Sequence, residues 1–299
     1  MVFSYCEIQN VGVCRAFPAQ VEKYKTDGYL VIEGFFSHDE VEQMKHEMHN
    51  IVANMNLEDH PKVIFTTGED QSKFRGDYFI TSGDKIRYFF EEGAFNDKGE
   101  LIKDKQKAIN KVGHALHALN PVFKKFTFSK RIEAITKSIG FKCPVVPQSM
   151  YIFKQPGIGG EVTPHRDSTF LYTEPPSAMG LWIPLEDCTL ENGCLHFVPK
   201  SHNDGITYRM VRNPEQGTPT IFTGSKEEFD DKDFIPQLTK KGCLVLIHGT
   251  VLHRSFPNKS EKSRHAYTFH IVEQENTEYS KQNWLQPTPE LPFPVLYTE

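Results

Sequence analysis

No stretch of this 299-residue chain approaches the ~18 consecutive apolar residues that a membrane-spanning helix needs. There is no basic tail, and with a net charge of −5 and a pI of about 6.2 no nucleic-acid partner is expected. The six cysteines, Cys6, Cys14, Cys143, Cys188, Cys194 and Cys243, form no C-x-x-C pair, so zinc-ribbon and thioredoxin-like spacings are missing. The start, MVFSYCEIQN, lacks a charged segment followed by an apolar one, and the closing Leu-Tyr-Thr-Glu is neither a peroxisomal tripeptide nor a prenylation box. A cytoplasmic location is therefore the expectation, with no membrane partner. Cys143, Cys188 and Cys243, set among apolar neighbours, are expected as buried free thiols. Internal repeats and low-complexity tracts are also missing.

What is present is the composition of a globular protein: 38% hydrophobic, 12% aromatic and 24% charged residues. A single domain over residues 1–299 is expected, with a helical N-terminal support over about 18–140 and a β core over about 144–275. Gly28 to Phe36 (GYLVIEGFF) reads as a strand. Ser37-His38-Asp39-Glu40 then has the form of a capping box opening a helix to about Asn54. The spacing of Ile109, Val112, Leu116 and Leu119 predicts a helix over Lys105 to Leu119, followed after Pro121 by a short helix with Val122, Phe123 and Phe126. A further helix over about 130–139 stops at Gly140.

From Pro144 the texture changes to short β-rich runs separated by Gly, Pro and Asn. They are Ser149 to Lys154, Gly180 to Leu185, Cys194 to Val198, Gly242 to His248 and His265 to Val272. Without long helices between them, such strands indicate a mainly β fold, a double-stranded β-helix or jelly roll of cupin-like type, with flanking helices buttressing one sheet. Residues 203–236, rich in Gly, Pro, Asn and Asp, read as a long surface insertion.

The chemistry-bearing signal begins at His165-Arg166-Asp167. In an extended segment residues i and i+2 share a face, so an imidazole and a carboxylate stand side by side. One more histidine completes a two-His, one-carboxylate face that leaves three open positions, a set suited to Fe(II) and O₂. His248 and His253 compete for that third place. Alone, H-x-D is a weak signal. Its companion is the run Leu252-His253-Arg254-Ser255-Phe256-Pro257-Asn258-Lys259-Ser260, followed by Ser263-Arg264-His265-Ala266-Tyr267.

These motifs, with GEVTPHRDSTFLYTEPP, LEDCTLENGCLHFVPKSH and GCLVLIHGTVLHRS, resemble those of the phytanoyl-CoA dioxygenase family over nearly the whole chain. The resemblance implies Fe(II) on His165, Asp167 and His253, with 2-oxoglutarate as co-substrate and O₂ as oxidant. It implies that Arg264 binds the distal carboxylate of 2-oxoglutarate, which suits a guanidinium because it forks onto a carboxylate as lysine cannot. Ser255 adds a hydroxyl, Trp182 walls the co-substrate, and Met150 and Lys107 match further family positions, with Lys85 as the alternative to Lys107. Relatives of this kind often carry Gln where this chain has Arg166, so a changed substrate-side charge is expected.

Other readings bound this one. His114 and His117, expected at i and i+3 of a helix, lack a neighbouring carboxylate and read as structural. So do His196 and His202; His265 should face away from Arg264, and His270 lies on a late strand. Glu186-Asp187 with Asn192-Gly193 reads as a turn connection and not as paired catalytic carboxylates. A zinc hydrolase could use the same three ligands, but Arg264 would then have no role. A non-catalytic jelly-roll binding module would predict a broken triad. The family reading implies hydroxylation of a small molecule or lipid-like substrate with release of succinate and CO₂. The identity of that substrate and the oligomeric state are not legible.

Overall fold

The computed structural model describes residues 3–4, 18–67, 76–215 and 217–298. Cys6 and Cys14 lie outside them. Two antiparallel sheets form a jelly roll. The eight-stranded sheet runs in the order β1 (Phe3–Ser4), β2 (Tyr29–Glu33), β13 (Leu244–His248), β8 (Met179–Pro184), β15 (Ala266–Glu273), β5 (Pro144–Ile152), β4 (Ile109–His114) and β3 (Ile86–Phe90), with only β1 and β2 parallel. The four-stranded sheet runs β12 (Ile235–Gln237), β9 (Leu195–Phe197), β14 (His253–Ser255) and β6 (Val162–His165). Two further antiparallel pairs, the hairpin β10 (Tyr208–Arg212) with β11 (Thr220–Gly224) and the long-range pair β7 (Thr173–Glu174) with β16 (Glu278–Tyr279), lie outside these sheets.

The large sheet is buried on both faces, which explains why its strands read as continuous apolar runs rather than alternating ones. On β13, Leu244 and Leu246 pack toward the helices while Val245 and Ile247 point between the sheets. On β15, Tyr267, Phe269 and Ile271 join the helix-side core, and Ala266 the inner one. The helix His38–Ala53 covers that outer core with Val41, Met44, Met48 and Val52. Its capping box forms as expected: the Glu40 amide donates to Ser37 Oγ at 3.2 Å and the Ser37 amide to Glu40 Oε2 at 2.9 Å. The helix Lys130–Ile139 ends on Gly140 at φ 113°, a conformation open to glycine.

The expected helix over Lys105 to Leu119 does not form. The segment divides into a 3₁₀ turn at Lys105–Lys107, strand β4 and a short helix Leu116–Leu119. The apolar spacing matched a helix, but β4 is hydrogen-bonded on both sides, to β3 and to β5. Two ladders outweigh a weak local preference in a segment that carries Ile109, Val112 and Gly113. Gly113 is needed there, because a Cβ would stand 3.2 Å from both Met150 Cγ and the Ser149 carbonyl. Leu119 is 51% exposed and belongs to no core face. His114 is therefore a strand residue, and it bonds Ser82 Oγ at 2.7 Å; His117 bonds Ser149 Oγ at 2.9 Å. Both are buried and structural.

Strands matching the other five β-rich runs are present. The 203–236 insertion is less irregular than expected, since it carries the β10–β11 hairpin. Cys188, Cys194 and Cys243 are buried free thiols, whereas Cys143 is only half-buried. No helix among the described residues is long and apolar enough to cross a membrane.

Candidate active site

β6 and β14 are antiparallel neighbours in the small sheet, and their register places His165 directly opposite His253. The rings lie 4.3 Å apart, centroid to centroid. β6 ends at His165, and a 3₁₀ turn, Asp167–Thr169, swings the carboxylate alongside. Asp167 Oδ1 lies 3.6 Å from His165 Nε2 and 3.8 Å from His253 Nε2. These three residues are the only group among the described residues whose ligand atoms converge as a metal ion requires, all within 4.8 Å of one another.

The backbone fixes which nitrogen of each ring would face a bound ion. His165 Nδ1 donates to the Thr163 carbonyl at 2.8 Å, and His253 Nδ1 to the Val251 carbonyl at 3.1 Å. Each ring thus presents Nε2 as a lone pair, the tautomer a metal ligand needs. Burial, helped by the neighbouring His165, lowers the His253 pKa to about 4, so this ring is neutral at physiological pH. For Asp167 burial opposes ionisation, but His270 and His253 outweigh it and hold the carboxyl well below its usual range. The donor set, two imidazoles and one carboxylate, fits Fe(II) with open positions.

Two supporting elements were not expected at the centre, the His270–Gln148 pair and Gly180. His270 Nε2 lies 3.2 Å from Asp167 Oδ2, and Gln148 Nε2 donates to His270 Nδ1 at 3.3 Å. A hydrogen-bonded chain thus orients the carboxylate from behind. The available signal was alternation: Arg264, Ala266, Thr268 and His270 fall on one face of their strand. Gly180 on β8 is the second. A Cβ there would stand 3.0 Å from Asp167 Oδ2 and 3.5 Å from His270 Nε2, so glycine makes room for the carboxylate.

Arg264 is 1% exposed. Its guanidinium lies 5.3 Å over the Trp182 ring, and Nη2 reaches Ser255 Oγ at 3.5 Å. Its Nε and Nη1 have no partner among the described residues. A buried guanidinium with open donors is costly unless an anion completes it, so this pocket fits a carboxylate. Met150 lines a cavity of about 680 Å³ that also reaches His165, Asp167, His270 and Gln148. Lys107 is exposed in its 3₁₀ turn and does not line this cavity; Lys85 pairs with Asp84 at 2.6 Å and does not line it either. The lysine of this segment that does is Lys111, whose Nζ lies 3.7 Å from Met150 Sδ. Four residues separate it from Lys107, and the mistaken helix hid the difference.

Arg166, between His165 and Asp167, turns its side chain away from the three convergent groups. It is buried and fully engaged. Nε and Nη2 fork onto Glu227 at 2.8 Å each, Nη1 donates to the Ser201 and Thr250 carbonyls, and Nη2 lies 3.4 Å from Asp204 Oδ2. A second cavity, about 460 Å³, lies under the insertion between Arg166, Tyr208, Phe222 and Glu227 and shares His165 with the first. His248 is set apart from the centre: it bonds Thr250 Oγ1 at 2.8 Å and packs against Tyr24 and His202. Glu186 and Asp187 are held by Lys45 and Lys240 in ordinary ion pairs.

A jelly roll carrying a convergent His–Asp–His group at one end of its small sheet is the class of protein these observations define. Residues 24–266 match the family described as phytanoyl-CoA dioxygenase (PhyH), and the chain belongs to that family. It is 56% identical, over 93% of its own length and 97% of the relative's, to phytanoyl-CoA dioxygenase domain-containing protein 1 of Danio rerio. Among solved structures, the non-haem alpha-ketoglutarate-dependent carbocyclase SnoK is similar with a TM-score of 0.61 at 17% identity, covering 94% of this chain and 97% of that one. EctD from S. alaskensis, solved with 2-oxoglutarate and 5-hydroxyectoine, has a TM-score of 0.57 at 17% identity, covering 87% of this chain and 77% of that one.

Proposed function

We propose that this chain is an Fe(II)- and 2-oxoglutarate-dependent dioxygenase that hydroxylates a small-molecule or lipid-like substrate. One oxygen atom of O₂ enters the substrate and the other enters succinate, with release of CO₂. The observation that carries this reading is the pairing of a three-ligand face with a buried arginine whose donors await an anion.

His165, Asp167 and His253 hold the metal, which when bound supplies the oxygen chemistry that no side chain can. Arg264 and Ser255 take the distal carboxylate of 2-oxoglutarate, and Trp182 fixes the plane of the guanidinium. Met150 and Lys111 flank the co-substrate, Lys111 in the place expected for Lys107. His270 and Gln148 keep the Asp167 carboxylate turned toward the two histidines. The two cavities that share His165 give a substrate access to the centre. The three buried free thiols support a reducing, cytoplasmic setting.

The test is succinate release from 2-oxoglutarate with Fe(II), in wild type and in His165→Ala. Turnover that depends on Fe(II) and is lost in the variant supports the reading. Ester or amide hydrolysis with Zn²⁺, and no succinate, would replace it with a hydrolase.

A further inference from the structure

β5 and β15 pair with Ala266 opposite Ile152, Thr268 opposite Met150 and His270 opposite Gln148. One step beyond, the Arg264 amide donates to the Lys154 carbonyl at 3.2 Å. Two-residue alternation carries Gln148, Met150 and Ile152 onto one face; Lys154, just past the end of β5 at φ 41°, lines the same larger cavity as these three. Lys154 and Arg264 are thus backbone neighbours just beyond the paired ends of β5 and β15. They are 2% and 1% exposed.

Like charges across a strand pair repel, and burying each carries a desolvation cost. Among the described residues neither cation has a carboxylate at ion-pair distance. The Lys154 ammonium donates to one acceptor, the Gly160 carbonyl at 2.7 Å, which leaves two of its three donors open. Its stem cannot swing aside on one flank, since a Cβ on Gly193 would stand 2.3 Å from Lys154 Cε. The nearby Glu91 directs Oε2 to Asn110 and to the Gly160 amide, and does not close on the ammonium.

We propose that Lys154 is a second cation of the co-substrate pocket, donating to the same distal carboxylate that Arg264 holds and so selecting 2-oxo diacids over 2-oxo monoacids. This rests on the 2-oxoglutarate reading above. Two adjacent buried cations become mutually tolerable once a carboxylate lies between them, which explains why both are kept.

The test is calorimetric binding of 2-oxoglutarate and of 2-oxobutyrate to the full-length protein loaded with Mn(II), without turnover. The variants are Lys154→Met and, as a control, Arg264→Lys. Loss of one charge-assisted hydrogen bond should weaken 2-oxoglutarate binding in Lys154→Met by about 10- to 100-fold. Binding of 2-oxobutyrate, which lacks the distal carboxylate, should stay unchanged. If 2-oxoglutarate affinity falls in Arg264→Lys but not in Lys154→Met, the Lys154 proposal is overturned and the oxygenase reading stands. If the wild type binds no 2-oxoglutarate, the underlying reading fails with it. Should Lys154→Met be too unstable to measure, the double variant Lys154→Met/Glu91→Gln removes the stranded carboxylate and gives the same comparison. A role confined to neutralising Glu91 predicts that this double variant binds the diacid as wild type does.

Discussion

Replacing His270 by Phe should loosen the proposed metal site without touching a proposed ligand. Asp167 offers Oδ1 to the two histidines at 3.6 and 3.8 Å, while Oδ2 is held by His270 at 3.2 Å. Phenylalanine fills similar space but leaves Oδ2 buried without a donor. A hydrogen bond to a charged group contributes about 1.5–3 kcal/mol, which corresponds to roughly 10- to 100-fold in metal affinity. The same range is typical for removing a partner that orients a metal ligand. Competitive titration of Mn(II) or Co(II) against a fluorescent chelator reads this directly. Gln148→Leu should weaken binding less, since it removes a neutral hydrogen bond of about 1 kcal/mol. Because Gln148 acts through His270, the double variant should resemble His270→Phe and not the product of the two effects. Unchanged affinity in His270→Phe, or strict additivity with Gln148→Leu, would refute the relay.

Gly180→Ala should also impair metal binding, by at least 10-fold on the same scale, because its methyl group meets the Asp167 carboxylate; wild-type affinity would show that the strand gives way. Arg166→Gln should leave metal affinity within about threefold, a shift under 1 kcal/mol, yet expose the 203–236 segment to limited proteolysis, because a single amide cannot replace the fork onto Glu227. An unchanged digestion pattern would show that the insertion is held elsewhere. The metal-free protein should lose stability as pH falls from 6.5 toward 4. His117, His248 and His265 have pKa values lowered, by burial first, to about 3, about 4 and about 4. The unfolded chain therefore takes up protons before the folded one does, so their contribution is complete above 6.5 and fades below it. With three such rings the slope approaches roughly 4 kcal/mol per pH unit near pH 5. Urea unfolding at pH 7, 6 and 5 measures it, and a flat profile would contradict the burial argument.

The β core was legible because strands buried on both faces leave apolar runs that composition alone reveals. The residues of the proposed centre were legible for a different reason: His165 and Asp167 sit two apart, and His253, Ser255 and Arg264 keep fixed offsets along the sequence, the first two on β14 and Arg264 just before β15. Lys111 and β4 were not. A strand with both edges paired is stabilised by partners distant in sequence, and its local spacing happened to imitate a helix. Gly180 and His270 were hidden because each acts on Asp167 from another strand. Only the register, Gly180 beside His270 on β8 and β15, brings them there.

Arg166 ties two parts of the molecule into one mechanical unit. The residue between two of the proposed metal ligands is also the bolt that fastens the 203–236 flap, through Glu227 and Asp204 on one side and the Ser201 and Thr250 carbonyls on the other. A lengthened or rewritten flap therefore pulls on the backbone between His165 and Asp167. Glutamine at this position, with only one amide to offer, would leave the flap to be anchored by other means.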